Sequence, residues 1–231
     1  MRETLYIRWR DDLREPLAYA FVAAEAAGSA IPKHALIDDI LALAPGRRIV
    51  LIVPGSSVHL ASVDIPTRQT SKVLQAAPYL LEEQLADDVD TLHYAIGPRQ
   101  PGGQYPVAVV NQAELESWLA PFREQDIEVE AVVPDTLCLP LPDPAPGAAW
   151  PTLVEAGLIT LRSGPYTGFC CPPEDLRMYL ELAESDDIHR NLLALLCEGC
   201  DSELDCGDRS VELRPGYGSG LQALVQHYKP A

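Results

Sequence analysis

Proline is concentrated in one stretch of this 231-residue chain, and that stretch limits how the chain can be divided into folded units. The prolines are Pro134, Pro140, Pro142, Pro144 and Pro146, and Gly147 follows them. Proline has no backbone N–H, so such a stretch cannot supply the donors of a helix or a sheet ladder. We therefore place a linker at 143–147, between a first unit at 1–142 and a second at 148–215. The glycine-containing residues 216–231 are expected to form a flexible tail.

The two units share one pattern, in which strand pairs are followed by helices. Periodicity in the first unit predicts strands over 4–10, 17–22 and 49–53 and a helix over 35–44. In the second it predicts strands over 152–155, 158–162 and 167–171 and helices over 174–183 and 188–197. The repetition predicts an α/β fold with two similar lobes.

Residues 107–133 give the clearest local pattern. An apolar strand over 107–110 precedes Asn111 and Glu114, which are spaced as in a capping box at a helix start. Alternating residues over 127–133 then predict a closing strand. We expect these elements to form one β-α-β unit.

The charge of the chain excludes two classes of partner. The formal net charge is −17, and residues 101–231 carry most of it, with 7 basic and 21 acidic residues. Such a chain repels nucleic-acid phosphates and anionic lipid head groups. No apolar run reaches the length of a membrane span, and the N-terminal residues lack the apolar core of a signal peptide. We expect a soluble chain that is not exported by that route.

The cysteines leave two interpretations open. Cys197 and Cys200 have the C-x-x-C spacing that allows two thiolates to share a zinc ion, and Cys206 could add a third ligand. A second C-x-x-C or a histidine pair at zinc spacing is missing. Reduced, partly buried thiols in a cytosolic protein are the alternative.

The motifs of catalysis are missing from the sequence. There is no G-x-S-x-G nucleophile elbow and no glycine-rich phosphate loop of the Walker or dinucleotide type. Acidic residues cluster at Glu82, Glu83, Asp87, Asp88 and Asp90, where they could bind a cation, act as acid and base, or simply be solvated. We assign no catalytic residue, no cofactor and no metal.

Four segments of the chain carry motifs that are specific enough to be compared with known families. The most specific match is 77–97, which reads APYLLEEQLA, then VDTLHYAIG after Asp87 and Asp88. The segments VPDTLCLP at 133–140 and RSGPYTGF at 162–169 match as well, and VELRPGY at 211–217 does so more loosely. Together these segments resemble the L component of bacterial type II secretion systems, and the resemblance spans nearly the whole chain.

That resemblance implies an actin-like ATPase fold, with two ribonuclease-H-like lobes and a small subdomain inserted in the first at about 57–103. Such ATPases hold nucleotide phosphates between two hairpins that bear Asp-x-Gly. Here the first hairpin carries Arg8, Trp9 and Arg10, and the second reads Glu155-Ala156-Gly157 before bulky residues. Because phosphate approach needs backbone space at both turns, we expect ATP hydrolysis to be lost.

The family's role implies a non-catalytic scaffold of the inner-membrane platform that recruits the cytoplasmic secretion ATPase, the E component, through its N-terminal domain. The M component and a second copy of the chain are further expected partners. Full-length members continue into one membrane helix and a periplasmic domain, so we expect a cytoplasmic fragment. We expect Glu82, Glu83, Asp87 and Asp88 to meet a basic face of the ATPase. The alternative function is an active actin-like ATPase.

Overall fold

A computed structural model describes residues 3–23, 31–145, 148–155, 157–184, 190–197, 204–217 and 219–228. The chain begins with an antiparallel three-stranded meander, a helix and a buried strand that lies parallel to the first. These elements are β1 (Thr4–Arg8), β2 (Leu17–Val22), β3 (Lys33–Ala35), α1 (Ile37–Leu43) and β4 (Arg48–Val53). A single 3₁₀ turn, Gly55–Ser57, follows β4.

An inserted subdomain comes next, with a helix packed on a three-stranded antiparallel sheet of order β5-β7-β6. Its elements are β5 (His59–Asp64), α2 (Thr70–Leu81), β6 (Leu92–Ile96) and β7 (Gln104–Asn111). Val73, Ala77 and Leu81 recur at helical spacing and bury one face of α2 against this sheet. The sheet extends beyond residue 103, because β7 is its central strand.

The chain then returns to the first sheet through α3 (Gln112–Arg123), β8 (Ala131–Pro134) and the short helix α4 (Asp135–Cys138). The strand order of the first sheet is β3-β2-β1-β4-β8, with β8 parallel to β4. The predicted β-α-β unit is wrong, since β7 and β8 belong to different sheets. Sequence periodicity describes each strand but carries no information about its pairing partner.

The second lobe repeats the strand order of the first, as β11-β10-β9-β12-β13. Its elements are β9 (Trp150–Glu155), β10 (Leu158–Arg162), β11 (Gly168–Cys171), α5 (Leu176–Ala183), β12 (Leu192–Cys197) and β13 (Val211–Tyr217). The helix predicted over 188–197 is wrong, because residues 192–197 form the strand β12. This strand lies between two parallel neighbours, where a continuous apolar run is as typical of a strand as of a helix.

The expectation of a flexible tail over 216–231 is also wrong for those of its residues that the structure describes. Tyr217 completes β13, and α6 (Gly220–His227) follows, with the Ser219 hydroxyl accepting a hydrogen bond from the Gln222 N–H. Leu221, Leu224 and Val225 give α6 an apolar face at i, i+3 and i+4 spacing, which is sufficient for docking.

Helix α6 packs between the lobes, in a core that both sheets share. The outer face of the first sheet is covered by α1 and α3, through side chains such as Ile40, Trp118 and Phe122. The inner faces meet α6, in a cluster formed by Tyr6, Ala20, Val50 and Ile52 of the first lobe, Leu153 and Leu195 of the second, and Leu221, Ala223, Leu224 and Val225 of α6. The lobes are therefore joined by a continuous apolar core.

Candidate functional site

Three charged side chains meet in the cleft between the lobes. Arg8 is the last residue of β1 and Glu155 the last residue of β9, so one charge comes from each lobe. The Arg8 Nη1 and Nη2 atoms donate to Glu155 Oε1 and Oε2 at 2.6 and 2.5 Å, a bidentate pair. Nη2 also lies 3.4 Å from Oδ2 of Asp135, the first residue of α4. One guanidinium is thus shared by two carboxylates.

Asp135 is the most buried member of this ion network, with a side chain only 3% exposed. Its Oδ1 accepts the backbone N–H of Gly55 at 2.9 Å, and the Cys170 Sγ lies 3.7 Å from the same oxygen. Burial raises the pKa of Asp135, and the charge of Arg8 and the Gly55 N–H oppose that rise. Burial also acts to lower the pKa of Arg8, but the hydrogen bond and charge of Glu155 outweigh it, so Arg8 stays charged.

Two glycines allow this close approach. A Cβ atom at Gly55 would lie 2.6 Å from Asp135 Oδ1 and 3.0 Å from Thr136 Cγ2. A Cβ atom at Gly220, the first residue of α6, would overlap both Arg8 Nη1 and Glu155 Oε1. The start of α6 therefore lies directly on the ion pair, where the positive end of a helix favours a carboxylate.

The space left beside the ion network is small. It measures about 270 Å³, and its lining includes Trp9, Arg10 and Leu158 as well as the three charged residues. The sequence analysis singled out Arg8, Trp9, Arg10 and Glu155, and the structure brings all four to this cleft. Asp135 was missed, although its position directly after a parallel strand is a signal, since ligand-facing residues gather at the carboxyl ends of such strands.

The four acidic residues proposed as a partner site lie elsewhere, on the inserted subdomain. Glu82 and Glu83 begin the 3₁₀ turn after α2, and Asp87 and Asp88 precede the next turn, at Val89–Thr91. All four are exposed. The Asp88 Oδ1 accepts the backbone N–H of Asp90 at 3.0 Å, which fixes the local turn. Tyr79 and Leu80 of α2 are 76% and 51% exposed just before this segment.

The zinc interpretation gains no geometric support from the described part of the chain. Within those residues, no group of three or more histidine, cysteine or acidic side chains is arranged to hold a metal ion. Cys206 is buried, with its Sγ 3.6 Å from the Leu204 carbonyl oxygen and 3.7 Å from that of Arg209. Cys200 lies outside the described residues.

Comparison with solved structures identifies the fold. The cytoplasmic domain of EpsL, an inner-membrane component of the type II secretion system of Vibrio cholerae, superposes with a TM-score of 0.78 at 21% identity and covers 97% of this chain and 94% of that one. A PilM–PilN type IV pilus biogenesis complex matches with a TM-score of 0.53 at 12% identity, over 80% of this chain and 66% of that one. The chain is a two-lobed α/β protein of the actin-like ATPase fold, as expected, with an ion network in its cleft.

Sequence comparison identifies the family. The family model for type II secretion system (T2SS) protein L matches residues 16–191. A type II secretion system protein L from Dickeya chrysanthemi is 34% identical over 126 residues, and one from Vibrio cholerae is 28% identical over 109. These alignments cover 54% and 46% of this chain but only 30% and 26% of those relatives. The chain belongs to the type II secretion system protein L family, and the resemblance drawn from the sequence is confirmed.

Members of this family are inner-membrane components of the secretion system and have a cytoplasmic domain. Among the described residues, none of the helices has the length and apolar character that crossing a bilayer requires.

Proposed function

We propose that this chain is a non-catalytic cytoplasmic scaffold of the inner-membrane platform, which recruits the secretion ATPase, the E component, for protein export. One observation carries the non-catalytic part of the proposal. The Arg8 guanidinium, which could neutralise a phosphate in the cleft, is already paired with Glu155 at 2.6 and 2.5 Å. Asp135 and Glu155 would in addition repel a polyphosphate brought between the lobes.

The proposed docking surface for the ATPase is the acidic segment Glu82, Glu83, Asp87 and Asp88. These carboxylates are exposed and follow the exposed apolar side chains of Tyr79 and Leu80. An aromatic anchor surrounded by charge is a common composition for a protein interface, in which the rim charges mainly accelerate association. A partner face rich in lysine and arginine would complement this segment. We propose in addition that the chain binds the M component and a second copy of itself. Its proposed location is the cytoplasmic side of the inner membrane.

Binding to the N-terminal domain of the E component tests the recruitment part. Two double variants reverse the charge of the segment: Glu82→Lys with Glu83→Lys, and Asp87→Lys with Asp88→Lys. Each should lower the rate of association with the ATPase domain about tenfold at low salt. The loss should shrink as salt rises, because exposed charges are screened. Association and dissociation rates can be measured on an immobilised ATPase domain.

The matched control is Glu124→Lys with Glu128→Lys, since both residues are exposed and lie on the first lobe, away from the acidic segment. This control should bind as the unmodified chain does. Equal rates for all three variants at low salt would remove the acidic segment as the docking surface. Turnover of Mg-ATP by the isolated chain would instead support the active ATPase.

A further inference from the structure

A second, larger groove lies where the inserted subdomain meets both lobes. Its volume is about 740 Å³. One wall is the segment 55–60 after β4, another is 84–87 with the end of β7, and the third is formed by β11 and Tyr179 of α5. It differs from the cleft that holds the ion network, because neither Arg8 nor Glu155 lines it.

Two strand edges face this groove. The strand β11 is the outermost strand of the second sheet, and β5 is an outer strand of the inserted sheet. Three consecutive residues of β11, Gly168, Phe169 and Cys170, line the groove. Since successive side chains of a strand point to opposite faces, consecutive residues reach one groove only along the strand's edge. The turn Gly55–Ser57 packs against β11 at Cys170, whose Sγ would lie 2.9 Å from a Cβ atom at Gly55, but within the described residues no backbone hydrogen bond joins the turn to β11.

The groove lining is apolar with negative charge at its margin. Its half-buried apolar side chains are those of Val58, Leu60, Leu85, Leu92 and Phe169. Asp87 and Glu114 add two carboxylates, and the described lining residues include no lysine or arginine. An occupant that complements these walls carries both apolar and basic side chains.

We propose that this groove binds an extended segment of a partner polypeptide, which pairs with the free edge of β11 and carries alternating apolar and basic residues. Main-chain hydrogen bonds to an exposed edge give such complexes their affinity, and pockets for alternate side chains give specificity. The site is separate from the ATPase docking surface proposed above, apart from Asp87. Glu114 and Ala86 belong to the groove alone, so variants at these two residues test it independently.

The test uses a fluorescein-labelled peptide of about ten residues, in which valine alternates with arginine, titrated with the whole chain in an anisotropy assay. Saturable binding is expected. Two changes to the peptide, glutamate in place of arginine and N-methylation of alternate backbone amides, should each weaken binding about tenfold or more. N-methylation keeps the side chains and removes the edge hydrogen bonds, so it separates strand pairing from general attraction to an acidic protein.

Variants of the chain then locate the site. Ala86→Trp fills the groove from an exposed position and should weaken peptide binding about tenfold, and Glu114→Gln should weaken it less. The matched controls are Ala183→Trp and Glu124→Gln, which are exposed and outside the groove lining, and they should bind the peptide as the unmodified chain does. Equal binding by Ala86→Trp and Ala183→Trp, or undiminished binding of the N-methylated peptide, would overturn the proposal. Neither result bears on ATPase recruitment, which is measured with a different partner.

Discussion

At the scale of single residues, Arg8 has the largest expected effect on stability. Its side chain is 11% exposed and neutralises the carboxylates of Asp135 and Glu155. Arg8→Met would leave both charges buried without a cation, which should lower the free energy of unfolding by about 3–5 kcal/mol. Urea denaturation measures this change, and Arg14→Met, at an exposed position, is the control.

The pH dependence of that variant separates an electrostatic cause from a loss of packing. Burial already raises the pKa of Asp135 in the folded chain, and removing Arg8 removes a charge that opposes the rise. A carboxyl whose folded-state pKa is raised favours folding while it is protonated and loses that contribution as the pH rises. The deficit of Arg8→Met should therefore shrink as the pH falls toward 4, about the ordinary pKa of aspartate. A deficit that is constant with pH would indicate packing alone.

At the scale of elements, a histidine at the C-terminal end of α6 contacts the neighbouring strand β13. The His227 Nε2 lies 3.1 Å from the Tyr217 Oη of β13. Burial lowers the pKa of His227, and the charge of Arg214 lowers it further. The unfolded chain therefore binds more protons at this residue, so stability should fall as the pH drops through about 6.5, the ordinary pKa of histidine.

The measurement is the urea midpoint at about pH 7.5 and 5.5, above and below that pKa, for the unmodified chain and for His227→Gln. The midpoint should change less with pH in the variant. An exposed histidine, His93 on β6, serves as the control through His93→Gln, which should keep the full pH dependence. Identical pH dependence in all three proteins would exclude His227 as the titrating group.

The individual helices and strands also show which parts of the fold could be predicted from the sequence and which could not. Apolar patterning was sufficient for the strands β1, β4 and β9 and for the helices α1 and α5, because that signal is local. The capping residue Asn111 added a second local signal for α3. The run Leu192–Cys197 was misassigned because a strand buried on both faces and a buried helix share one pattern. The helix α6 was missed because the glycines at 216, 218 and 220 precede its short apolar face. Asp135 was missed because it belongs to the site through its contacts with Arg8 and Gly55, which are both distant from it in sequence.

At the scale of the whole molecule, the shared core predicts that the lobes unfold together. Side chains of both sheets and of α6 form one cluster between them. Trp9 and Trp118 lie in the first lobe and Trp150 in the second, so fluorescence can follow each lobe separately. The variant Trp150→Phe reports the first lobe, and the double variant Trp9→Phe, Trp118→Phe reports the second. In each variant, the unfolding transitions followed by fluorescence and by circular dichroism should have one midpoint.

The two variants can differ in absolute stability, so the comparison is made within each protein. Fluorescence from one lobe and circular dichroism from the whole chain should coincide in both. Separate transitions in either protein would contradict the shared core as the source of cooperativity. At this scale, the fold class and the two similar lobes could be predicted from the sequence, through the repeated order of strands and helices and the family motifs. The packing of α6 between the lobes could not, because it depends on contacts between residues distant in sequence.

The repeated strand order gives the ion pair an evolutionary meaning. Arg8 and Glu155 end β1 and β9, which occupy the same place in their respective sheets. The two residues are thus counterparts under the internal pseudo-symmetry of the molecule. An ancestor built from two identical halves would have carried the same residue at both positions, and like charges there would have repelled each other. The ion pair therefore depends on a difference in sequence between the two lobes that their shared strand order does not reveal.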